Sequence, residues 1–210
     1  GMAFAEGTAV DWLALAMVDG YELDNAFGTL IFGVFVTAMT VTRFLGVRAL
    51  DRFGRVPVLR ASAGLAGAGL LLVIFSPVVV LAVIGTALWG AGAALGFPVG
   101  ISAAADEPKR ATARVTAVAT IAYGATLIGP PMIGLLSDQV GVLNALLVIV
   151  VLTFVSGILS PAARELAGRH ARILVDFASP GTTSAAVSIA TTEVAIISLD
   201  DEAPPPPLHR

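Results

Sequence analysis

The chain has 210 residues, of which 57% are hydrophobic and only 13% are charged, with a mean hydropathy of +0.91 and a net charge of −3. Soluble domains carry about 25% charged residues, so this composition excludes a soluble enzyme and indicates a membrane protein. The chain has no cysteine, which excludes disulfides, thiolate metal sites and cysteine nucleophiles. Both histidines, His170 and His209, lie in the polar carboxyl-terminal segment. We therefore expect no enzyme, no cofactor, no metal site and no nucleic-acid partner.

Six apolar segments, each about long enough to cross 30 Å of hydrocarbon, follow one another along the chain. The first contains Glu6 and Asp11 and is the weakest. It begins abruptly at Gly1, which suggests a truncated amino end. The sequence thus predicts an all-α membrane protein, a six-transmembrane-helix bundle over residues 1–160. The predicted spans are residues 1–18, 25–47, 58–75, 78–105, 113–136 and 142–159.

An arginine-rich stretch, residues 48–60, separates the second and third spans and contains the turn residues Gly54 and Pro57. An arginine at a helix centre costs roughly 2.5–3.5 kcal/mol on insertion scales. The stretch therefore predicts a short hairpin on the cytoplasmic face of the membrane.

Every basic residue falls near the connections that follow the second, fourth and sixth spans. The other connections contain none, so the positive-inside rule makes the basic side cytoplasmic. Residues 161–210, rich in Ser, Thr, Asp and Pro, are predicted to be a loosely ordered cytoplasmic tail. The twelve basic residues are Arg43, Arg48, Arg52, Arg55, Arg60, Lys109, Arg110, Arg114, Arg164, Arg169, Arg172 and Arg210.

The segment Asp51-Arg-Phe-Gly-Arg55 resembles the cytoplasmic loop signature that recurs in each six-helix half of the major facilitator superfamily. The segments 6–12, 43–46 and 129–138 are similar to the second half of its YbjJ-like inner-membrane branch. The likeness covers roughly residues 1–160. Two positions depart from the pattern: Gly46 stands five residues before Asp51 rather than four, and Val56 replaces a common basic residue.

This resemblance implies a secondary active transporter of a small solute that works by alternating access in the inner membrane, with proton coupling as an option. The family's binding cavity lies between two halves, so transport requires an amino-terminal six-helix half or a second copy as partner, besides the lipid bilayer. The alternative is a non-transporting membrane remnant, or a scaffold that acts through interactions. No residue identifies the solute.

The resemblance implies that the loop residues Asp51, Arg52, Gly54 and Arg55 act as a gate latch that stabilises one conformation. Asp51 and Arg55 are four residues apart, a spacing that allows an ion pair on one helical face. The other interpretation is that these arginines only fix the topology.

Four residues within the spans are candidates for a proton or substrate site: Glu6, Asp11, Arg43 and Tyr123. An ionisable group inside a span is a functional hypothesis by default. Glu6 and Asp11 lie about 140° apart around a helix, so they cannot share one narrow face. Arg43 lies about 7.5 Å deeper than Arg48, from where it either snorkels to the interface or pairs with another group. Tyr123 either lines a cavity or bonds a neighbouring helix.

Gly92, Gly96 and Gly100 form a GxxxG repeat in the fourth span, which favours close helix packing over a phosphate-binding loop. Pro130 and Pro131 remove two backbone donors from the fifth span and predict a break or hinge there.

Overall fold

The computed structural model describes residues 1–164, and every regular element in that range is helical. The prediction of an all-α chain is confirmed for this range. Residues 165–210, which hold most of the predicted tail, lie outside the described residues. The helices are α1 (Met2–Tyr21), α2 (Asn25–Phe53), α3 (Arg55–Phe75), α4 (Val79–Ala93), α5 (Gly96–Ala104), α6 (Ala111–Val140), α7 (Val142–Ala145) and α8 (Leu147–Leu159), with 3-10 turns at Pro108–Arg110 and Ser160–Ala163.

Five helical stretches of the described range are long and apolar enough to cross a membrane, one fewer than the six predicted. Helix α1 has 20 residues but is not among them. It carries three carboxylates, Glu6, Asp11 and Asp19, which lower its apolar character. The five stretches are Asn25–Phe53, Arg55–Phe75, Val79–Ala104, Pro108–Val140 and Val142–Ala163.

Helix α1 nevertheless lies inside the bundle. It packs between α2 and α6 and also touches α4, α5, α7 and α8. One stripe along it is completely buried and repeats every three or four residues, as one face of a helix does. The stripe consists of Ala5, Ala9, Leu13, Ala16 and Met17. The small residues in this stripe let the neighbouring helices surround α1.

Helices α3 and α4 pack with their backbones in direct contact. A Cβ atom added at Gly69 would collide with the backbone of Gly85, and one added at Gly92 would collide with the backbone of Ala66. On the other side of α4, the fully buried Trp89 meets Phe35 of α2 edge to face, with ring centroids 5.4 Å apart. Helices α2, α3 and α4 therefore form a tightly packed unit.

The predicted hairpin of residues 48–60 is wrong in form, because almost the whole stretch is helical. Helix α2 continues to Phe53 and α3 begins at Arg55, so that Gly54 alone joins them. Gly54 has a φ of 77°, a conformation that glycine adopts without strain, and its N–H donates to the Leu50 carbonyl at 2.9 Å. The arginines thus extend from helix ends.

The helix breaks also differ from those predicted. The predicted fourth span is interrupted at residues 94–95, between α4 and α5. The fifth is not interrupted, because α6 stays helical through Pro130 and Pro131. Two missing donors remove only two backbone hydrogen bonds, and membrane helices tolerate such losses. The sixth predicted span consists of α7 and α8 with Leu146 between them.

Two tertiary contacts define the ends of the bundle. The Arg55 guanidinium binds the Asp106 carboxylate, which places the α2–α3 joint beside the end of α5. At the opposite end, the Tyr21 hydroxyl donates to the carbonyls of Val73 (2.7 Å) and Ser76 (3.0 Å), which ties the end of α1 to that of α3. The connections at this second end, residues 22–24 and 76–78, contain no Lys or Arg. The basic residues around the α2–α3 joint therefore lie at the first end.

Candidate functional site

An ion pair links α1 to α2 within the apolar part of the bundle. The Arg43 Nη2 atom lies 2.6 Å from the Glu6 Oε1 atom. Arg43 is ten residues from the end of α2, or about 15 Å along the helix axis, and lies four residues before the end of the predicted second span. Two of the candidate site residues from the sequence are thus brought together.

The Glu6–Arg43 pair is only partly covered, with side-chain exposures of 26% for Glu6 and 42% for Arg43. The pair lies where α1 and α2 meet. At that place the other described helices do not cover α1, so both side chains can be reached from outside the bundle. An arginine and a carboxylate at this distance form a charge-assisted hydrogen bond, which stabilises both charges in an apolar setting. A small polar solute or a proton that reaches this face would meet both groups.

Arg43 makes a second contact. Its Nε atom donates to the backbone carbonyl of Ala94 at 3.2 Å, at the break between α4 and α5. One guanidinium therefore connects three helical segments: α2, which carries it, α1 through Glu6, and the end of α4 through Ala94.

Asp11 and Tyr123 do not join this pair. Asp11 is exposed and makes no hydrogen bond or ion pair with the described residues. Tyr123 is 67% exposed, and its ring lies 6.2 Å, between centroids, from the ring of Phe97 on α5. Both side chains lie on faces that the described helices leave uncovered.

A second charged cluster lies at the α2–α3 joint. The Arg55 Nη1 atom is 2.5 Å from Asp106 Oδ2, and Nη2 is 3.1 Å from Asp106 Oδ1 and 2.9 Å from Ser102 Oγ. The side chains of Arg55 and Asp106 are only 12% and 6% exposed. We call this set, Arg55, Asp106 and Ser102, the Arg55 clamp. It fastens the start of α3 to the end of α5 through a two-pronged contact.

The predicted Asp51–Arg55 ion pair does not form. Because Gly54 ends α2 and begins α3, the two residues stand on different helices. Asp51 is exposed without a partner among residues 1–164, and the Arg52 guanidinium lies over the ring of Phe53 at 5.5 Å. Of the four loop residues, Arg55 makes the tertiary contact and Gly54 makes the turn.

The sequence analysis did not assign Asp106, Ser102 or Ala94 to a site. Asp106 lies in the connection between α5 and α6, and its partner Arg55 is 51 residues away in the sequence. The sequence does indicate that the Ala94 carbonyl needs another donor. Pro98, four residues later, has no N–H to bind that carbonyl as a helix would.

The three repeat glycines have different surroundings. An added Cβ would meet the backbone of Ala66 at Gly92 and the side chain of Met2 at Gly96, but it would meet open space at Gly100. Gly92 therefore packs on α3 and Gly96 on α1, while Gly100 makes no close approach to the described residues. Near the prolines of α6, Gly129 packs on Phe4 of α1.

A cavity of about 600 Å³ lies at the end opposite the clamp. Its polar lining comes from Asp19 of α1, Ser137 and Asp138 of α6, and Asn144 of α7, and Trp12 contributes an apolar wall. Both carboxylates are exposed, so this cavity is an open acidic cleft and not an enclosed pocket. Residues 1–164 contain no group of three or more His, Cys, Asp and Glu side chains that could hold a metal ion.

Comparisons with known proteins agree with this architecture. The chain is 31% identical over 161 residues to an uncharacterized transporter of Sinorhizobium fredii, which covers 76% of the chain and 43% of the relative. It is 30% identical to the membrane protein MosC of Rhizobium meliloti, over 79% of the chain and 40% of the relative. It is also 30% identical to an uncharacterized MFS-type transporter of Yersinia pestis, over 65% of the chain and 36% of the relative.

The chain thus spans less than half the length of these curated relatives. No solved structure gives a significant match. The sequence profile of the Major Facilitator Superfamily matches residues 2–192, which extends beyond residue 160, where the sequence analysis ended the resemblance. With most of its length matched and its apolar helices able to cross a bilayer, this multi-pass membrane chain belongs to the major facilitator superfamily of transporters.

Proposed function

We propose that the chain forms the carboxyl-terminal six-helix half of a secondary active transporter that moves a small solute by alternating access. In this proposal the Glu6–Arg43 pair is the proton-coupling or substrate site. The observation that carries it is the pair itself, a 2.6 Å contact between two charged side chains on membrane-length helices.

Ionisable groups inside a membrane are costly, and they persist where they serve transport. The described residues do not close over the pair, since Glu6 and Arg43 remain 26% and 42% exposed. Partial exposure leaves room for a proton to reach Glu6, or for a charged solute group to replace one partner. Either event would change the interaction between α1 and α2.

In this proposal α1 also crosses the membrane, which raises the five candidate spans to six. Its carboxylates make it a poor membrane helix by itself, but its buried stripe and its neighbours enclose it. A helix of this kind suits the central position beside a transport pathway, where polar groups face the pathway and not lipid.

The uncovered faces of α2 and α6 support a partner bundle. Only 17% and 11% of their apolar stretches are buried, compared with 50% in both α3 and the α4–α5 segment. These two helices flank α1. A second six-helix bundle, either an amino-terminal half or a second copy, would cover them and complete a cavity around Glu6 and Arg43.

The orientation follows from the charges. We place the end with the Arg55 clamp in the cytoplasm, since basic residues collect on the cytoplasmic side of inner-membrane proteins. The carboxyl terminus then also lies in the cytoplasm. In that place the clamp serves as a gate latch, since it fastens the cytoplasmic ends of α3 and α5 and would resist their separation.

Transport in proteoliposomes tests the coupling site. The complete polypeptide, with any preceding helices that its coding sequence contains, is reconstituted and screened for uptake of a metabolite panel with and without a proton gradient. We expect Glu6→Gln to abolish the response of uptake to the gradient. Asp11→Asn is the matched control, because Asp11 is on the same helix but is exposed and has no partner among residues 1–164. Equal responses of both variants would reject Glu6 as the coupling residue.

Cysteine crosslinking tests the partner bundle, since the chain has no native cysteine. A single cysteine at Leu127 of α6, which is 78% exposed, should crosslink two chains if a second copy covers this face. A cysteine at Ile158 of α8, 73% exposed, is the control for random collision. Coding sequence for six further helices in frame would identify the amino-terminal half instead. If no crosslink forms, no further helices are encoded in frame and no uptake is detected, the scaffold alternative is favoured.

A further inference from the structure

Pro98 lies in the first turn of α5, directly after the break between α4 and α5. In a continuous helix the N–H of residue 98 would donate to the carbonyl of Ala94, but proline has no N–H and its ring clashes with that carbonyl. Helix α5 begins at Gly96, and the Val99 N–H, one residue after Pro98, donates to the Leu95 carbonyl at 3.1 Å. The Ala94 carbonyl therefore loses its helical donor.

Ala94 is completely buried, so water cannot satisfy its carbonyl easily. A buried backbone oxygen without a donor is strongly unfavourable, and native structures rarely leave one unpaired. The Arg43 Nε atom supplies the missing bond at 3.2 Å, while its Nη2 atom holds Glu6 at 2.6 Å. The guanidinium can serve both acceptors because its donors point in fixed, different directions.

The next residue of the break is also held by α2. The side chain of Leu95 packs directly over Gly46, where an added Cβ would collide with it. Gly46 is three residues after Arg43, so both face the same side of α2. Phe44 and Leu45, between them, point away and are 76% and 57% exposed.

We infer that Arg43 and Gly46 form a docking site for the α4–α5 break, in which Arg43 is a positioning residue that replaces the backbone donor missing at Pro98. The segment Arg43-Phe-Leu-Gly46 thereby has a structural meaning: its first residue binds the Ala94 carbonyl and its last accommodates Leu95. Through the same guanidinium, α1 is linked to the break between α4 and α5. The inference concerns the geometry of the break and does not rest on transport.

A double-mutant cycle tests the inference, because Pro98→Ala restores the N–H donor to the Ala94 carbonyl. The full chain is purified in detergent and its thermal unfolding midpoint is measured. We expect Arg43→Gln to lower the midpoint by roughly 3–10 °C beside the native proline, since a hydrogen bond from a charged group and a partner charge are lost. In the Pro98→Ala background the loss should be at most half as large. The cost of leaving Glu6 unpaired occurs in both backgrounds and cancels.

Arg43→Lys separates the carbonyl bond from the charge. Lysine can keep the ion pair with Glu6 but lacks the second, fixed donor direction. We expect the loss of stability caused by Arg43→Lys to disappear almost completely in the Pro98→Ala background. Arg48→Gln is the matched control, because Arg48 is exposed on the same helix without a partner in the described range. Its effect should be the same in both backgrounds.

Equal losses for Arg43→Gln with and without Pro98→Ala would overturn the inference. Spin labels on cysteines at Gly33 and Gly100 provide a second measurement, since both glycines face open space. It is made on folded protein, with Arg43→Lys in place of Arg43→Gln if the latter does not fold. Arg43→Gln should broaden the distance distribution between α2 and α5, and adding Pro98→Ala should narrow it; an unchanged distribution would also overturn the inference. Since neither measurement needs uptake, failed transport would count against the proposed function alone.

Discussion

The Arg55 clamp gives a sharp prediction about stability. In the Asp106→Asn variant the carboxylate becomes a neutral amide, so the Arg55 guanidinium loses the negative charge that it binds through two contacts. The Arg55 side chain is 12% exposed, so little water is available to replace the lost charge. Removing one partner of a buried ion pair typically costs 3–5 kcal/mol, because an uncompensated charge remains.

The size of the effect follows from this burial. Taking about 3 kcal/mol, and a shift of about 2–4 °C per kcal/mol for a chain of this length, we expect the unfolding midpoint to fall by about 6–12 °C. The measurement is thermal unfolding of the full chain in detergent. A double variant with Arg55→Met and Asp106→Leu should recover most of the loss, because two apolar side chains leave no buried charge.

The neighbouring ion pair provides the control. Glu107 contacts Arg114 at 3.2 Å, but these side chains are 38% and 49% exposed. Exposed pairs contribute about 0–1 kcal/mol, so Glu107→Gln should lower the midpoint by about 4 °C at most. If Asp106→Asn and Glu107→Gln had the same small effect, the clamp would not stabilise the fold, and the reasoning from burial would be refuted.

Two further predictions concern helix packing. Gly92→Ala should destabilise the bundle by about 1–3 kcal/mol, because the added Cβ collides with the α3 backbone. Gly100→Ala, which faces open space, should be neutral or slightly stabilising. Equal thermal unfolding midpoints for the two variants would contradict this. Tyr21→Phe removes the hydroxyl that binds Val73 and Ser76 and should cost about 1 kcal/mol, with faster amide exchange at the end of α3. Unchanged exchange there would show that the hydroxyl does not hold the two helix ends together.

The membrane fold could be predicted from the sequence because it depends on local composition. Apolar length and the alternation of basic and non-basic connections require no knowledge of tertiary contacts. The details of the joints could not be predicted as well. The arginine-rich stretch suggested a hairpin loop, but helices extend beyond the apolar segment wherever no residue stops them, and here Gly54 alone does so.

Prolines show why local signals gave mixed results. Pro130 and Pro131 predicted a break that α6 does not have, whereas Pro98, for which no break was predicted, accompanies a real one. The difference lies in tertiary context. At residues 94–95 a neighbouring arginine and a glycine can receive the broken segment, and a break is stable only where such partners exist.

The candidate site was predicted as a set of residues but not as an arrangement. Glu6 and Arg43 were recognised separately, because an ionisable side chain in an apolar segment is conspicuous. Their pairing joins residues 37 positions apart, and the Arg55–Asp106 contact joins residues 51 apart. The periodicity of one helix gives the face of each side chain but not the neighbouring helix that it meets.

The polar character of α1 has a consequence for biogenesis. Asp at the centre of a helix costs about 2.5–3.5 kcal/mol on translocon scales, and α1 carries three carboxylates in 20 residues. The group that compensates Glu6 is Arg43, on the helix synthesised next. If α1 is a membrane span, as we propose, we expect its stable integration to depend on the synthesis of α2, so that the two helices enter the lipid together and not one after the other.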